Sequence, residues 1–298
     1  MTNPAASPAS SASPASSASS ACPTPAASAD PATASTGPAA PGPGPHAAPA
    51  RAPGAARAVL KAEVRLFRRE PGSLFWILAF PTVLLAVLGS IPSFREAQDD
   101  LGGIRLVDAY VPVTVLLSMI MSGIQAMPPV ITGYRERGIL RRMSATPVRP
   151  AAVLGAQMGL HGAAALGSAL LSLTVGRAVF DVALPRQIFG YAVALVLATA
   201  SALALGALVS ALSRTSKAAT AVGSAVFFPM MFSAGVWLPV QAMPDTLAQI
   251  VEALPFGAAA EALNQAAAGD WPGPVHLGVL VLWTAVLSAA AARWFRWE

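Results

Sequence analysis

Histidine, cysteine and clustered carboxylates are the usual carriers of catalysis, and this 298-residue chain spreads them thinly. His46, His161 and His276 stand far apart, with no carboxylates grouped beside them, so neither a metal site nor a Ser/His/Asp arrangement assembles. The lone cysteine, Cys22, excludes an internal disulfide and a four-thiolate site. The two lysines, Lys61 and Lys217, follow no glycine loop, so the chain holds no nucleotide through a P-loop. No catalytic residue, metal or bound cofactor is expected. What the residues do offer is docking chemistry. In residues 133–150, Glu136 and Arg137 precede Gly138, and Leu140 and Met143 form an apolar edge beside Arg141 and Arg142. Thr146-Pro147 closes the run. A short helix with charged and apolar contacts of this kind suits the docking of a soluble partner. The plainer alternative is that its arginines only orient the chain in a membrane.

The elements that must carry this segment are apolar. Hydrophobic residues make up 55% of the chain and charged residues 11%, too few charges to cover a soluble domain of this size. Six runs approach the ~20 residues needed to span a bilayer: residues 73–91, 110–131, 151–176, 188–212, 218–238 and 275–292. Pro112, Pro128 and Pro129 fall in the second, where neighbouring helices can satisfy the freed carbonyls. Gln125, Gln157 and His161 lie in these runs as either pathway contacts or interhelical hydrogen bonds. Gly155-x-x-x-Gly159 would permit close helix packing.

Before the first run, Arg57, Lys61, Arg65 and Arg68 recur at helical spacing, as do Leu60, Val64 and Phe67. That pattern predicts an amphipathic helix over residues 55–70, lying at the membrane surface until Pro71-Gly72 breaks it. Residues 1–54 are almost wholly Ala, Pro, Ser, Thr and Gly and read as a disordered tail. They lack the basic and apolar regions of a secretion or lipoprotein signal, which leaves Cys22 as an unpaired thiol. The expected organisation is therefore a tail over 1–54 and a six-helix membrane unit over 55–298.

Charge sets the orientation. With the amino terminus inside, 15 of the 19 basic residues lie on the cytoplasmic side, and Arg95, Arg105, Arg177 and Arg186 lie outside. Nine of the 14 acidic residues lie outside. Both termini are thus expected in the cytoplasm of a multi-pass plasma-membrane protein, and the net charge of +5 reports topology rather than nucleic-acid binding. The excess of Arg over Lys, with abundant Ala and Pro, points to a GC-rich bacterial genome.

Two segments carry a resemblance. Residues 136–147, with Glu136, Arg137, Gly138, Leu140, Arg141, Arg142, Thr146 and Pro147, resemble the cytoplasmic signature of type-2 ABC transporter permeases, with Gly138 directly after Arg137. After the fifth run, Gly235, Pro239, Pro244, Pro255 and Glu261 mark a stretch similar to that family's extracellular connection. Asn264-Gln265 stands where the family often has a basic residue. The resemblance implies an all-α membrane fold with an interfacial helix, a cytoplasmic coupling helix over residues 136–146, and short re-entrant outer helices at an exit gate. It implies the permease subunit of an ATP-driven exporter of drugs or antibiotics, or of polysaccharide or lipid-linked glycan. ATP and Mg would sit on a separate ATP-binding cassette subunit, and two permease halves would pair as a homodimer or with a sister chain.

Residues 240–274 contain no Lys or Arg and hold apolar pieces too short to span, over 247–254 and 256–263, read as re-entrant or surface helices. An ion-coupled transporter is the main rival. It would need membrane carboxylates, and the first four runs hold none.

Overall fold

The computed structural model describes residues 55–98, 103–144, 150–238, 240 and 243–295. The expected tail, together with Thr146, Pro147 and Pro239, lies outside them. The described chain is an all-α bundle whose only sheet pairs two short strands, β1 (Ala97–Gln98) and β2 (Ile104–Arg105), antiparallel. In order, the helices are α1 (Ala55–Phe67), α2 (Pro71–Ser90), α3 (Leu106–Glu136), α4 (Ile139–Ser144), α5 (Pro150–Phe180), α6 (Ile188–Leu212), α7 (Ser216–Ser233), α8 (Asp245–Glu252), α9 (Pro255–Ala268) and α10 (Pro274–Trp294). Among the described residues, α2, α3, α5, α6 and α10 are long and apolar enough to cross a membrane.

The expected fifth run is helical but shorter than its apolar stretch. α7 has 18 residues, about 27 Å of helix, and carries Lys217 in its first turn. It does not reach residue 238, because Gly235 adopts φ +81° two residues past its end. Thr215 caps its start, accepting from the Ala218 N–H at 3.1 Å. The second run extends beyond expectation at both ends to 31 residues, about 46 Å.

α3 is the central helix of the bundle, with most of its middle buried. Pro128 and Pro129 remove two N–H donors from it, and just before them a π turn spans Met121–Ala126, the Met127 N–H reaching the Ser122 carbonyl. A second π turn, Phe75–Ala79, lies in α2 ahead of Pro81. The first π turn packs against α6, where a side chain on Gly206 would collide with the Gly123 carbonyl. Gly155 and Gly159, by contrast, have nothing within 4 Å of where a Cβ would sit, so that pair makes no close helix contact. Glycines that do pack closely between helices include Gly123 and Gly206, and Gly223 of α7 against the Ile124 carbonyl.

α6 and α10 lie side by side, with Ser201 and Thr284 hydroxyls 2.7 Å apart. α9 forms the innermost part of the connection before α10: Phe256, Ala258, Ala259, Ala262, Leu263 and Ala266 are fully buried. Its last turn is tied to the start of α6 by the Gln187 N–H donating to the Ala266 carbonyl at 3.0 Å.

Candidate functional site

The α3–α4 junction is made by chain geometry. α3 ends at Glu136, and Gly138 follows at φ +65°, a left-handed conformation that a side chain disfavours. The Gly138 N–H caps the helix by bonding to the Arg135 carbonyl at 2.9 Å. The turn starts α4 as a separate short helix, and Leu140, 4% exposed, anchors it against the bundle. Glu136 and Arg137 are exposed, as is Arg142, whose Nη2 donates to the Arg137 carbonyl at 3.1 Å. Arg141 lies on the helix between them. The junction is therefore an arm with an apolar root and a charged outer surface.

One turn before the arm, α3 is tied to α1 and α5 through three side chains, one from each helix. Glu63 of α1, only 7% exposed, accepts from the Tyr134 hydroxyl at 2.8 Å and from Gln157 Nε2 at 2.6 Å through the same Oε2. Burial pushes the Glu63 carboxyl above its usual range; the bonds from Tyr134 and Gln157 oppose that rise, and the nearby Glu70 adds to it. Arg135 binds the α6 end, with Nη2 donating to the Ser210 carbonyl at 2.6 Å and the guanidinium 5.3 Å over the Phe295 ring. α1, α3, α5 and α6 are thereby linked within two residues of α3.

Sequence reasoning missed Glu63, Tyr134 and Arg135 as a site. On α1 only Phe67 of the expected apolar stripe is buried: Leu60 is 45% exposed and Val64 half-buried, while Glu63 joins Phe67 in facing the bundle. Arg57, Lys61, Arg65 and Arg68 are exposed, as their stripe predicts. The available signal was Glu63 itself, a lone acid in a basic stripe, one turn before Phe67.

The other polar residues of the runs fall in different surroundings. Gln157 belongs to the Glu63 cluster. His161 is 1% exposed; Ser122 donates to its carbonyl at 2.7 Å, and Phe67 meets its ring edge-on at 5.3 Å. Gln125 is half-buried, donates to Ser224 Oγ at 3.4 Å, and lines a cavity of about 350 Å³ with Ser73, Trp76, Met121 and Ala126.

At the opposite end, Gly235 terminates α7, Pro244 precedes α8 and is exposed, and Pro255 opens α9 and is buried. Glu261 is half-buried on α9 and accepts from Gln265 Nε2 at 3.1 Å. Among the described residues no group of three His, Cys, Asp or Glu could hold a metal ion.

A family model described as ABC-2 type transporter matches residues 55–267, from the start of α1 to the last turn of α9. No curated relative matches the chain.

Proposed function

The chain belongs to the ABC-2 type transporter family, and on that footing we propose that it is the permease subunit of a bacterial ATP-driven exporter moving a hydrophobic or amphiphilic, drug-like molecule outward. It is an ABC-type permease, a multi-pass membrane protein of a system that includes a partner ATPase. The observation that carries the finer reading is the arm at Gly138: an exposed charged surface on a buried root, continuous with the central helix. The ATPase docks on residues 136–146 and holds the ATP and Mg; this chain supplies no catalytic group.

ATP binding draws two ATPase subunits together and displaces α4. The short turn at Gly138 passes that displacement into α3, and the Glu63–Tyr134–Gln157 bonds make α1 and α5 follow. The free-energy difference between the two states comes from ATP binding, because only a ligand that prefers one state can shift the equilibrium. Two copies of the chain, or one with a sister permease, enclose the path. Gln125 supports this placement: a half-buried amide within a membrane span is costly against lipid and suits a path or a protein partner. The spans are rich in Ala, Val, Leu and Gly, a composition that favours cargo drawn from the bilayer.

The test is co-expression with an ATP-binding subunit, followed by co-purification and transport in vesicles. The exporter reading expects a stable complex and transport that stops on ATP depletion. Transport that survives ATP depletion and collapses with an ion gradient would replace it with the ion-coupled reading.

A further inference from the structure

A cavity of about 630 Å³ opens at the end of the bundle opposite the Gly138 turn, between the start of α3, the end of α5, the start of α6 and the last turns of α9. Its size falls within the roughly 300–1,000 Å³ of small-molecule sites. α9 turns one face toward it: Glu261, Asn264, Gln265 and Ala268 line the space at positions i, i+3, i+4 and i+7. The opposite face of α9 is buried in the core, which fixes the helix in rotation and holds Glu261 at the wall.

Three of the six charged residues that line the cavity are in ion pairs. Arg105 donates to both carboxylate oxygens of Asp108 at 2.8 Å, and Asp181 accepts from Arg177 at 2.7 Å. Arg186 and Asp270 form no ion pair with each other among the described residues, but both are exposed to water. Glu261 is the unpaired charge that is not exposed. It is half-buried, it has no cationic partner among the described residues, and Gln265 engages only its Oε1. A second group on the wall is also unmatched: Tyr191 is 3% exposed, and its hydroxyl has no partner among the described residues. Buried or half-buried polar groups left in this way are costly in apolar surroundings, and a ligand of complementary charge relieves the cost. Val111, Pro112, Leu173 and Val182 supply an apolar wall beside them.

We propose that this cavity is a binding site for an amphiphilic organic cation, its charge against Glu261 and its apolar body along Val111, Pro112 and Leu173. The site lies within one copy of the chain. As an exit-side station for cargo it rests on the exporter reading, but binding itself requires neither ATP nor a partner.

The experiment uses the full-length chain in nanodiscs of neutral lipid, without ATPase, and compares tetraphenylphosphonium with the equally sized anion tetraphenylborate. The cation is expected to bind saturably above empty discs, and the anion at least about tenfold more weakly. Glu261→Gln, which keeps an acceptor for Gln265, weakens cation binding at least about tenfold. Ala268→Trp fills the cavity and abolishes it. Equal binding of the two ions, or full cation binding in both variants, overturns the proposal. Absent binding in a chain that still joins its ATPase and exports removes this site and leaves the exporter reading intact. Cation binding that follows the expected pattern in a chain that never associates with an ATPase removes only the exporter reading.

Discussion

The two ends of the bundle are held differently. At the Gly138 end, side chains reach across the structure: Glu63 to Tyr134 and Gln157, and Arg135 to the Ser210 carbonyl. At the other end the ion pairs Arg105–Asp108 and Arg177–Asp181 join near neighbours in sequence, the bonds across elements run from Arg105 to the Phe180 and Asp181 carbonyls and from Tyr110 to the Val236 carbonyl, each at 3.3 Å, and a large cavity remains between the elements. Short bonds to a buried carboxylate make helices move together, whereas longer bonds around a cavity couple them less tightly. Under the proposed function, force uptake belongs to the first end and opening to the second.

The comparison can be broken at its centre first. Both ends depend on the close contact of α3 and α6, and Gly206→Val drives a side chain into the Gly123 carbonyl. That substitution is expected to cost about 3 kcal/mol or more and to give a chain that fails to elute as a single species on size exclusion. Gly155→Val, with open space around it, should leave elution unchanged.

Glu63→Ala comes next. It leaves the Tyr134 hydroxyl and the Gln157 amide without their acceptor at a buried position, for a loss of about 2–3 kcal/mol read as a lower Tm. Glu63 also gives a pH dependence. Its folded carboxyl is raised by burial above the ordinary 4.5, so the folded state binds the proton more tightly than the unfolded one. The resulting stabilisation is fully present below the unfolded value and is lost as pH rises through the folded one. Tm should therefore fall as pH rises from about 4 toward neutrality, and Glu63→Gln should flatten that slope. A slope unchanged in Glu63→Gln would assign it to other carboxylates.

The smallest effect belongs to the opposite end. Arg105 pairs with Asp108, each about a third exposed, and reaches the Phe180 and Asp181 carbonyls at 3.3 Å, so Arg105→Gln should cost about 1 kcal/mol, read as a small fall in Tm. An effect as large as that of Glu63→Ala would erase the contrast between the ends.

How much of this was legible in the sequence follows from the kind of signal each feature leaves. Long apolar runs and a Gly between charged residues mark spans and turns by local composition, so α2, α3, α5, α6, α10 and the Gly138 junction were visible. The shortness of α7 was not, because Gly235 ends the helix inside a run that stays apolar to Leu238. The Gly155/Gly159 spacing is a one-helix pattern, but a close contact that does form joins Gly123 to Gly206, 83 positions apart, which spacing on one helix cannot reveal. Glu63 was hidden among exposed basic residues, and its partners lie 71 and 94 positions away. The cavity, and a Glu261 without a cationic partner among the described residues, likewise depend on four elements meeting, although Glu261 itself stood out as an acid in an apolar stretch.

The central claim is that the arm at Gly138 receives the ATPase. Its most direct test is Arg141→Glu combined with Arg142→Glu in the co-expressed complex, scoring association and ATP-dependent transport in the same preparation. Loss of both, with the permease still eluting as a folded species, is the expected result. Association and transport at the level of the unaltered chain would contradict the account.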